Sequence, residues 1–127
     1  MIKRFEDLDV WKKAREFAAF IYSITKTEHF SKDLRFRDQI RSSSGSIMDN
    51  IAEGYERGGR KEFIQFLSIA KGSCGESRSQ LYRAKDVEYI NDSIFSEAIM
   101  KAESISKSLS GFIEYLKTSD YKGPKYK

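Results

Sequence analysis

The sequence predicts an all-α protein that folds as an antiparallel up-down-up-down four-helix bundle. Apolar residues recur at alternating steps of three and four in four separate segments, which is the spacing of one helix face. The period-two alternation of a strand persists nowhere in the 127 residues. The chain has 8 glycines and 1 proline, at position 124, which is too few for the turns of a β-rich domain. Short connections between the segments make neighbouring helices antiparallel.

The first two helices are predicted from about Leu8 to Thr27 and from about Asp33 to Tyr55. The segment Glu28–Lys32 between them is short and polar, so we expect a loop in which Ser31 is a possible cap. The expected core stripes are Trp11, Ala14, Ala18, Ile21 and Thr25 in the first helix, and Ile40, Ser44, Ile47, Ile51 and Gly54 in the second.

The third helix begins near Arg60, after the turn Gly58-Gly59, and the fourth runs from about Asp92 to Lys117. Asn91 and Asp92 are good N-cap candidates for the fourth helix. The expected core stripes are Phe63, Leu67, Ala70, Cys74, Ser77, Leu81 and Ala84, then Phe95, Ala98, Ala102, Ile105, Leu109, Phe112 and Leu116. The bundle is expected to occupy residues 1–120, and the basic segment 121–127 to be a disordered tail.

Small residues on the second and third helices are predicted to face each other. Folding these helices about the Gly58-Gly59 turn places position i opposite position 117 − i, roughly, so Ser42–Ser46 meets Gly72–Gly75. We expect a close helix crossing there, with hydroxyl groups hydrogen-bonded locally or across. The alternative is a shallow polar groove for a ligand.

Apolar side chains exceed what a single core stripe needs. They are Val10, Phe17, Phe20, Tyr22 and Ile24 on the first helix and Ile64, Phe66 and Ile69 on the third. A monomeric bundle helix usually needs one stripe roughly 100° wide, so the surplus predicts a homo-oligomer. A thick aromatic core within the monomer is the competing interpretation.

The chemistry of an enzyme is hard to place in this chain. His29 is the only histidine, and Cys74 has no cysteine partner and falls on a core stripe. Neither a metal site of paired glutamates and histidines nor a phosphate-binding loop is present in the sequence. We therefore expect no catalysis, metal, cofactor or small-molecule substrate. One cysteine, no apolar run near the roughly 20 residues of a membrane span and no signal segment favour the cytoplasm.

The formal charge of +4 is too small to indicate nucleic-acid binding by itself. Its placement is more informative, because an up-down bundle gathers the N-terminus, the Gly58-Gly59 turn and the C-terminus at one end, where basic residues exceed acidic ones. A ring of parallel subunits would multiply this excess into a basic surface for phosphates. The candidate phosphate contacts are Arg57, Arg60, Lys61, Lys12 and Lys13. The alternative is a solvated surface with local ion pairs, such as Arg57 with Glu53.

Four sequence blocks carry a family resemblance, followed by Glu76, Gln80 and Leu81. They are Phe5–Trp11 (FEDLDVW), Gln39–Ser44 (QIRSSS), Asn50–Gly54 (NIAEG) and Lys61–Ser73 (KEFIQFLSIAKGS). In these blocks the chain resembles the bacterial four-helix-bundle proteins encoded within intervening sequences of 23S rRNA genes. That family is related to the accessory proteins of diversity-generating retroelements. The resemblance implies a ring-like homopentamer and a role with rRNA or other nucleic acid, and it brings no catalytic residues.

Two positions depart from the family pattern. Ser42 follows Arg41 where the family often has a second arginine, which removes a charge that RNA binding could use. Met48 stands where the family often has proline, which favours a straight second helix. In the NIAEG block we expect structural roles for Asn50, Glu53 and Gly54: a hydrogen bond to another helix, an ion pair and close packing.

The sequence therefore predicts a non-enzymatic, oligomeric accessory protein that associates with nucleic acid. The alternative is a protein–protein scaffold without a nucleic-acid role, whose apolar faces serve self-assembly or the docking of a partner. RNA binding through basic residues weakens steeply as salt rises, whereas apolar docking does not.

Overall fold

Four long helices form the protein, as the sequence predicts. The structure is a computed structural model that describes residues 2–121, and this part of the chain contains no strand. A short 3-10 turn at Phe5–Asp7 precedes the first helix. The helices are α1 (Asp9–Ile24), α2 (Glu28–Lys32), α3 (Leu34–Glu56), α4 (Arg60–Asp86) and α5 (Asp92–Thr118).

The long helices pack in the order α1, α3, α4, α5 around one core. Helix α3 packs along α4, α4 along α5, and α1 closes the bundle by packing on both α3 and α5. The connections are short, so each long helix runs antiparallel to the next. Gly58 adopts a φ of 85° in the α3–α4 turn, a left-handed conformation that glycine accepts without steric cost. The all-α bundle class is therefore confirmed.

The prediction of a loop at Glu28–Lys32 is wrong, because these residues form helix α2. Phe30 is fully buried, and its ring centroid lies 5.2 Å from that of Phe36 and 5.1 Å from that of Tyr89. Burial of this one aromatic ring holds the segment against the bundle and favours a helical turn over a solvated loop. The cap of α3 is Asp33, which accepts a hydrogen bond from the Phe36 N–H at 3.2 Å, and not Ser31.

The predicted core stripes of α3 and α4 are confirmed in full, since every residue named for them is buried. The predicted stripe of α5 is wrong at two residues, because Phe95 and Phe112 are only partly buried, and Ile113 is buried in the turn of Phe112. The predicted N-cap Asn91 accepts a hydrogen bond from the Ile94 N–H at 2.8 Å.

The predicted core stripe of α1 is correct at Ala14, Ile21 and Thr25, which are fully buried, and wrong at Trp11 and Ala18. Its buried residues are Val10, Ala14, Phe17, Ile21 and Ile24, whereas Trp11 and Ala18 are only partly buried. Phe17 takes the core position beside Ala18 because its larger side chain buries more apolar surface, and Ile24 is buried next to Thr25. Much of the apolar surplus of α1 therefore belongs to the core of the single chain.

Hydroxyl groups line the α3–α4 crossing, as predicted. The Ser43 and Ser77 hydroxyl oxygens lie 2.9 Å apart, and Ser73 donates to the Ser46 hydroxyl at 3.1 Å. Each pair lies within about three residues of the predicted antiparallel register. Since these hydroxyls bond one another across the interface, the sequence-derived alternative of an open polar groove at this crossing is wrong.

Candidate nucleic-acid interface

Two of the five predicted phosphate contacts are engaged within the chain. The Arg57 guanidinium forms an ion pair with the Glu53 carboxylate at 2.7 Å and stacks over the Phe66 ring at 5.1 Å from its centroid. Arg60 donates to the Ser119 carbonyl at 2.6 Å, which ties the start of α4 to the end of α5. Both side chains therefore have a structural use at the Gly58-Gly59 end of the bundle.

The other three predicted contacts lie in different surroundings. Lys12 and Lys61 are exposed, and their ammonium groups make no hydrogen bond or ion pair with the described residues. Lys13 turns toward α5, where its ammonium group donates to the Ser104 hydroxyl at 3.2 Å and to the Ser108 hydroxyl at 3.1 Å. Lys13 thus lies on a concave surface along α5.

That surface is a basic groove of about 880 Å³ along the middle turns of α5. Lys13 on α1 contributes to it from one side, Lys71 and Arg78 on α4 contribute from the other, and Lys107 rises from α5 itself. The remaining lining residues are Met100, Glu103, Ser104, Ser106, Ser108 and Ser110. The groove therefore gathers four cationic side chains and one carboxylate.

Helical spacing explains why these residues converge. Lys71 and Arg78 are seven positions apart and so share one face of α4. On α5, Ser104 and Ser108 are four apart and face Lys13, while Ser106 lies on the opposite flank of the helix. The short side chains of Ser104 and Ser108 leave space beside α5 toward α1, and those of Ser106 and Ser110 leave space toward α4.

The cations of this basic groove lack the partners that other cations of the bundle have. The side chains of Lys71, Arg78 and Lys107 form no ion pair and no hydrogen bond with the residues at 2–121. By contrast, Lys101 and Lys117 pair with carboxylates elsewhere on the helices. Unpaired cations that converge in a partly enclosed site repel one another, and a bound anion relieves this repulsion.

Arg78 carries the clearest sign of a missing partner. Its Nε atom is closed off from solvent and has no hydrogen-bond acceptor. Buried polar groups are nearly always hydrogen-bonded, because a buried donor without a partner costs about 1–3 kcal/mol. Because Nε is closed off from solvent, a ligand would contact the terminal nitrogens of this guanidinium and leave Nε without an acceptor.

The NIAEG block lies outside the basic groove. Asn50 donates to the carbonyl and hydroxyl oxygens of Ser46, both at 2.8 Å, so its hydrogen bonds stay within α3. Ser46 in turn accepts from Ser73 on α4, which links Asn50 to the neighbouring helix indirectly. Gly54 is buried against Phe63 and Phe66.

The chain shows no cluster suited to holding a metal ion within the described residues. No group of three or more histidine, cysteine, aspartate or glutamate side chains converges there. Cys74 is buried, and burial raises the pKa of its thiol to about 11. The thiol donates to the Ala102 carbonyl at 3.1 Å. Over residues 2–121, no helix has the length and apolar character that crossing a membrane requires.

A comparison of the charges at the two ends of the bundle does not identify Lys71, Arg78 and Lys107 as candidates. The signal that could have found them is the seven-residue spacing of Lys71 and Arg78, together with the alternating serines of the run Ser104–Ser110. Charge summed around each helix face, and not along the bundle axis, would have placed these cations beside each other.

Comparison with known proteins assigns the chain to a family. The family model described as 23S rRNA-intervening sequence protein matches residues 6–111. Among solved structures, the chain resembles a protein of unknown function from the S23 ribosomal protein family of Bacteroides thetaiotaomicron VPI-5482. That comparison has 30% sequence identity and a TM-score of 0.75, and it covers 82% of this chain and 97% of the other. None of the curated proteins matches. Since the family match spans most of the sequence, the chain belongs to the 23S rRNA-intervening sequence protein family.

Proposed function

We propose that this chain is a non-enzymatic, oligomeric accessory protein of the cytoplasm that binds nucleic acid, with rRNA as the first candidate. The observation that carries the proposal is the basic groove, in which Lys71, Arg78 and Lys107 have no carboxylate partner. A nucleic-acid backbone is a regular array of phosphate anions, and lysine and arginine side chains supply most of the affinity for it. The family description, which refers to 23S rRNA, supports the choice of RNA.

The groove fits contacts to the backbone better than contacts to base edges. Its polar groups are ammonium, guanidinium and hydroxyl donors, which bind phosphate and sugar oxygens. Such contacts hold the strand but carry little sequence information. The proposed binding is therefore tolerant of sequence.

The five predicted phosphate contacts differ in how readily they can reach a bound nucleic acid. Lys13 belongs to the groove, and Lys12 and Lys61 are free to add contacts at the surface. Arg57 and Arg60 would have to leave internal partners before they could contact phosphate. We therefore expect substitutions in the groove to weaken binding more than substitutions of Arg57 or Arg60.

We also propose that the protein acts as a homopentamer, as the family resemblance implies. Several large apolar side chains stay exposed on the single chain outside the basic groove, and these surfaces are available for subunit contacts: Tyr22, Leu34, Ile69, Tyr82 and Tyr115. Light scattering tests the assembly, since five chains of 14.7 kDa have a mass of about 73 kDa. A mass near that of one chain at all protein concentrations would contradict the pentamer.

The test of nucleic-acid binding is fluorescence anisotropy with a labelled fragment of 23S rRNA at increasing salt. Four groove cations at about −0.7 each predict a slope near −3 for the logarithm of affinity against the logarithm of salt, per protomer engaged. If the folded protein does not bind RNA at low salt, the proposal fails. In that case the exposed apolar surfaces support the alternative, a protein–protein scaffold.

A further inference from the structure

We infer that Tyr82 is a stacking platform for an unpaired base of the nucleic acid whose phosphates contact the basic groove. The inference rests on the proposed function and adds a contact to a base, which the lining residues of the groove do not supply. It draws on the side chains that follow one another along the α5 side of α4: Lys71, Arg78, Tyr82 and Lys85.

Tyr82 continues the cationic row of α4 beyond the groove. Lys71 and Arg78 are seven residues apart, and Tyr82 follows Arg78 by four, so the three side chains lie on one face of the helix. A helix rises about 1.5 Å per residue, so Tyr82 lies roughly 6 Å beyond Arg78 along the axis. An aromatic ring is therefore within reach of a nucleotide whose phosphate contacts Arg78.

Tyr82 is held in place by the chain and is yet open to solvent. Its ring makes an edge contact with the Phe95 ring of α5, with the centroids 4.9 Å apart and the planes at 70°. The Lys85 ammonium group lies 4.5 Å from the centroid of the Phe95 ring, so Phe95 is engaged by two side chains. Tyr82 nevertheless remains 53% exposed. A contact that orients a ring and leaves half of the residue exposed presents that ring to a planar ligand.

The charges around Tyr82 favour a nucleobase over an uncharged apolar partner. The Arg78 guanidinium, one turn away, forms no ion pair within residues 2–121. Lys85, three residues further along α4, forms an ion pair of 3.9 Å with the exposed Asp92. A ring bordered by cations suits a flat apolar group that carries an anion beside it, and a base joined to its sugar–phosphate is such a group. Every base has a π-face, so stacking on an aromatic ring adds affinity without sequence preference.

Fluorescence anisotropy with the full chain at low salt tests the stacking contact with two labelled probes of equal length. One probe is an unstructured oligouridine, and the other has the same sugar–phosphate backbone without bases. We expect Tyr82→Ala to weaken oligouridine binding at least about fivefold, because stacking of one base on an aromatic side chain contributes that much or more. Binding of the abasic probe should be unchanged, and Tyr82→Phe, which keeps the ring, should bind both probes as the wild type does.

Salt dependence separates stacking from phosphate contacts. The slope of the logarithm of affinity against the logarithm of salt reports the number of phosphates engaged, so Tyr82→Ala should lower affinity and leave the slope unchanged. The pair Lys71→Glu and Lys107→Glu should instead make the slope shallower. Tyr115→Ala is the matched control, because Tyr115 is 58% exposed and contacts a phenylalanine, Phe112, outside the groove. It should leave the binding of both probes unchanged.

Circular dichroism and light scattering follow the fold and the mass of each variant. A Tyr82→Ala variant that binds oligouridine as the wild type does, or that loses affinity for both probes alike, would overturn the inference and leave nucleic-acid binding intact. A Tyr82→Ala variant of lower mass would also overturn it, because Tyr82 would then be a subunit contact. If neither probe binds the folded wild type, the proposed function fails as well.

Discussion

Replacement of Gly54 by alanine probes the closest approach in the bundle. A Cβ atom added at Gly54 would lie 2.6 Å from the Cβ of Phe66 and 3.2 Å from Cδ1 of Phe63. The first atom belongs to the rigid base of a side chain, so a change of rotamer cannot move it away. The variant therefore forces α3 and α4 apart along a crossing that buries Ile47, Ile51 and Leu67.

The magnitude follows from two opposing terms. Overpacking of a well-packed core costs about 1–3 kcal/mol, and the short distance to Phe66 places Gly54→Ala in the upper part of that range. The higher helix propensity of alanine stabilises the folded variant by about 0.5–1 kcal/mol. The expected net loss in the free energy of unfolding is about 1–2 kcal/mol.

Thermal unfolding followed by circular dichroism measures this loss, at one fixed protein concentration. For a chain of this length, 1 kcal/mol corresponds to about 4 °C, so Gly54→Ala should lower Tm by about 4–8 °C. Gly45→Ala on the same helix is the matched control, because an added Cβ there meets nothing within 4 Å. Its propensity gain should raise Tm by about 2–4 °C. A Gly54→Ala variant as stable as the wild type would refute the close crossing.

Three further predictions concern single side chains. Ser43→Ala removes the hydroxyl that donates to the side-chain amide oxygen of buried Gln80 at 2.6 Å, and it should lower the free energy of unfolding in urea by about 1–3 kcal/mol. A loss within the error of the measurement would mean that water replaces the hydroxyl. Asn91→Ala removes the α5 cap and should cost about 1 kcal/mol, whereas Asn91→Asp keeps the acceptor and should stay near wild type. The Cys74 thiol should resist alkylation in the native protein and react fully in denaturant. Because its pKa rises from 9.0 to about 11 on folding, the folded state keeps its proton between these values and stability should fall as pH rises from 9 to 11, with a shallower fall in Cys74→Ala.

Local pattern was enough to predict most of the fold. The stripes of α3 and α4 are correct because their apolar residues follow one narrow 3–4 spacing, so a single face can be buried. Helix α1 has apolar residues around more of its circumference, and the spacing alone does not choose between faces. Contacts with α3 and α5 choose Phe17 and Ile24. The α2 turn likewise depends on a pocket for Phe30 that distant residues build.

The candidate site was predictable only in part. Lys13 was identified from its position near the basic end, but its partners Ser104 and Ser108 lie more than 90 positions away in the chain. The ion pair of Arg57 with Glu53 was predicted from the sequence as the alternative to a phosphate contact, and the structure confirms it. Which cations remain unpaired depends on the arrangement of all the helices.

The sequence by itself determined the helical class, the α3–α4 register and the family, because these depend on spacing and motifs within continuous segments. Only the tertiary structure decided which face of α1 is buried and where the basic groove lies. Lys13, Lys71 and Lys107 come from three helices, and their proximity follows from the way α5 packs between α1 and α4. Helix periodicity places a side chain on a face, but the packing of whole helices places that face beside another.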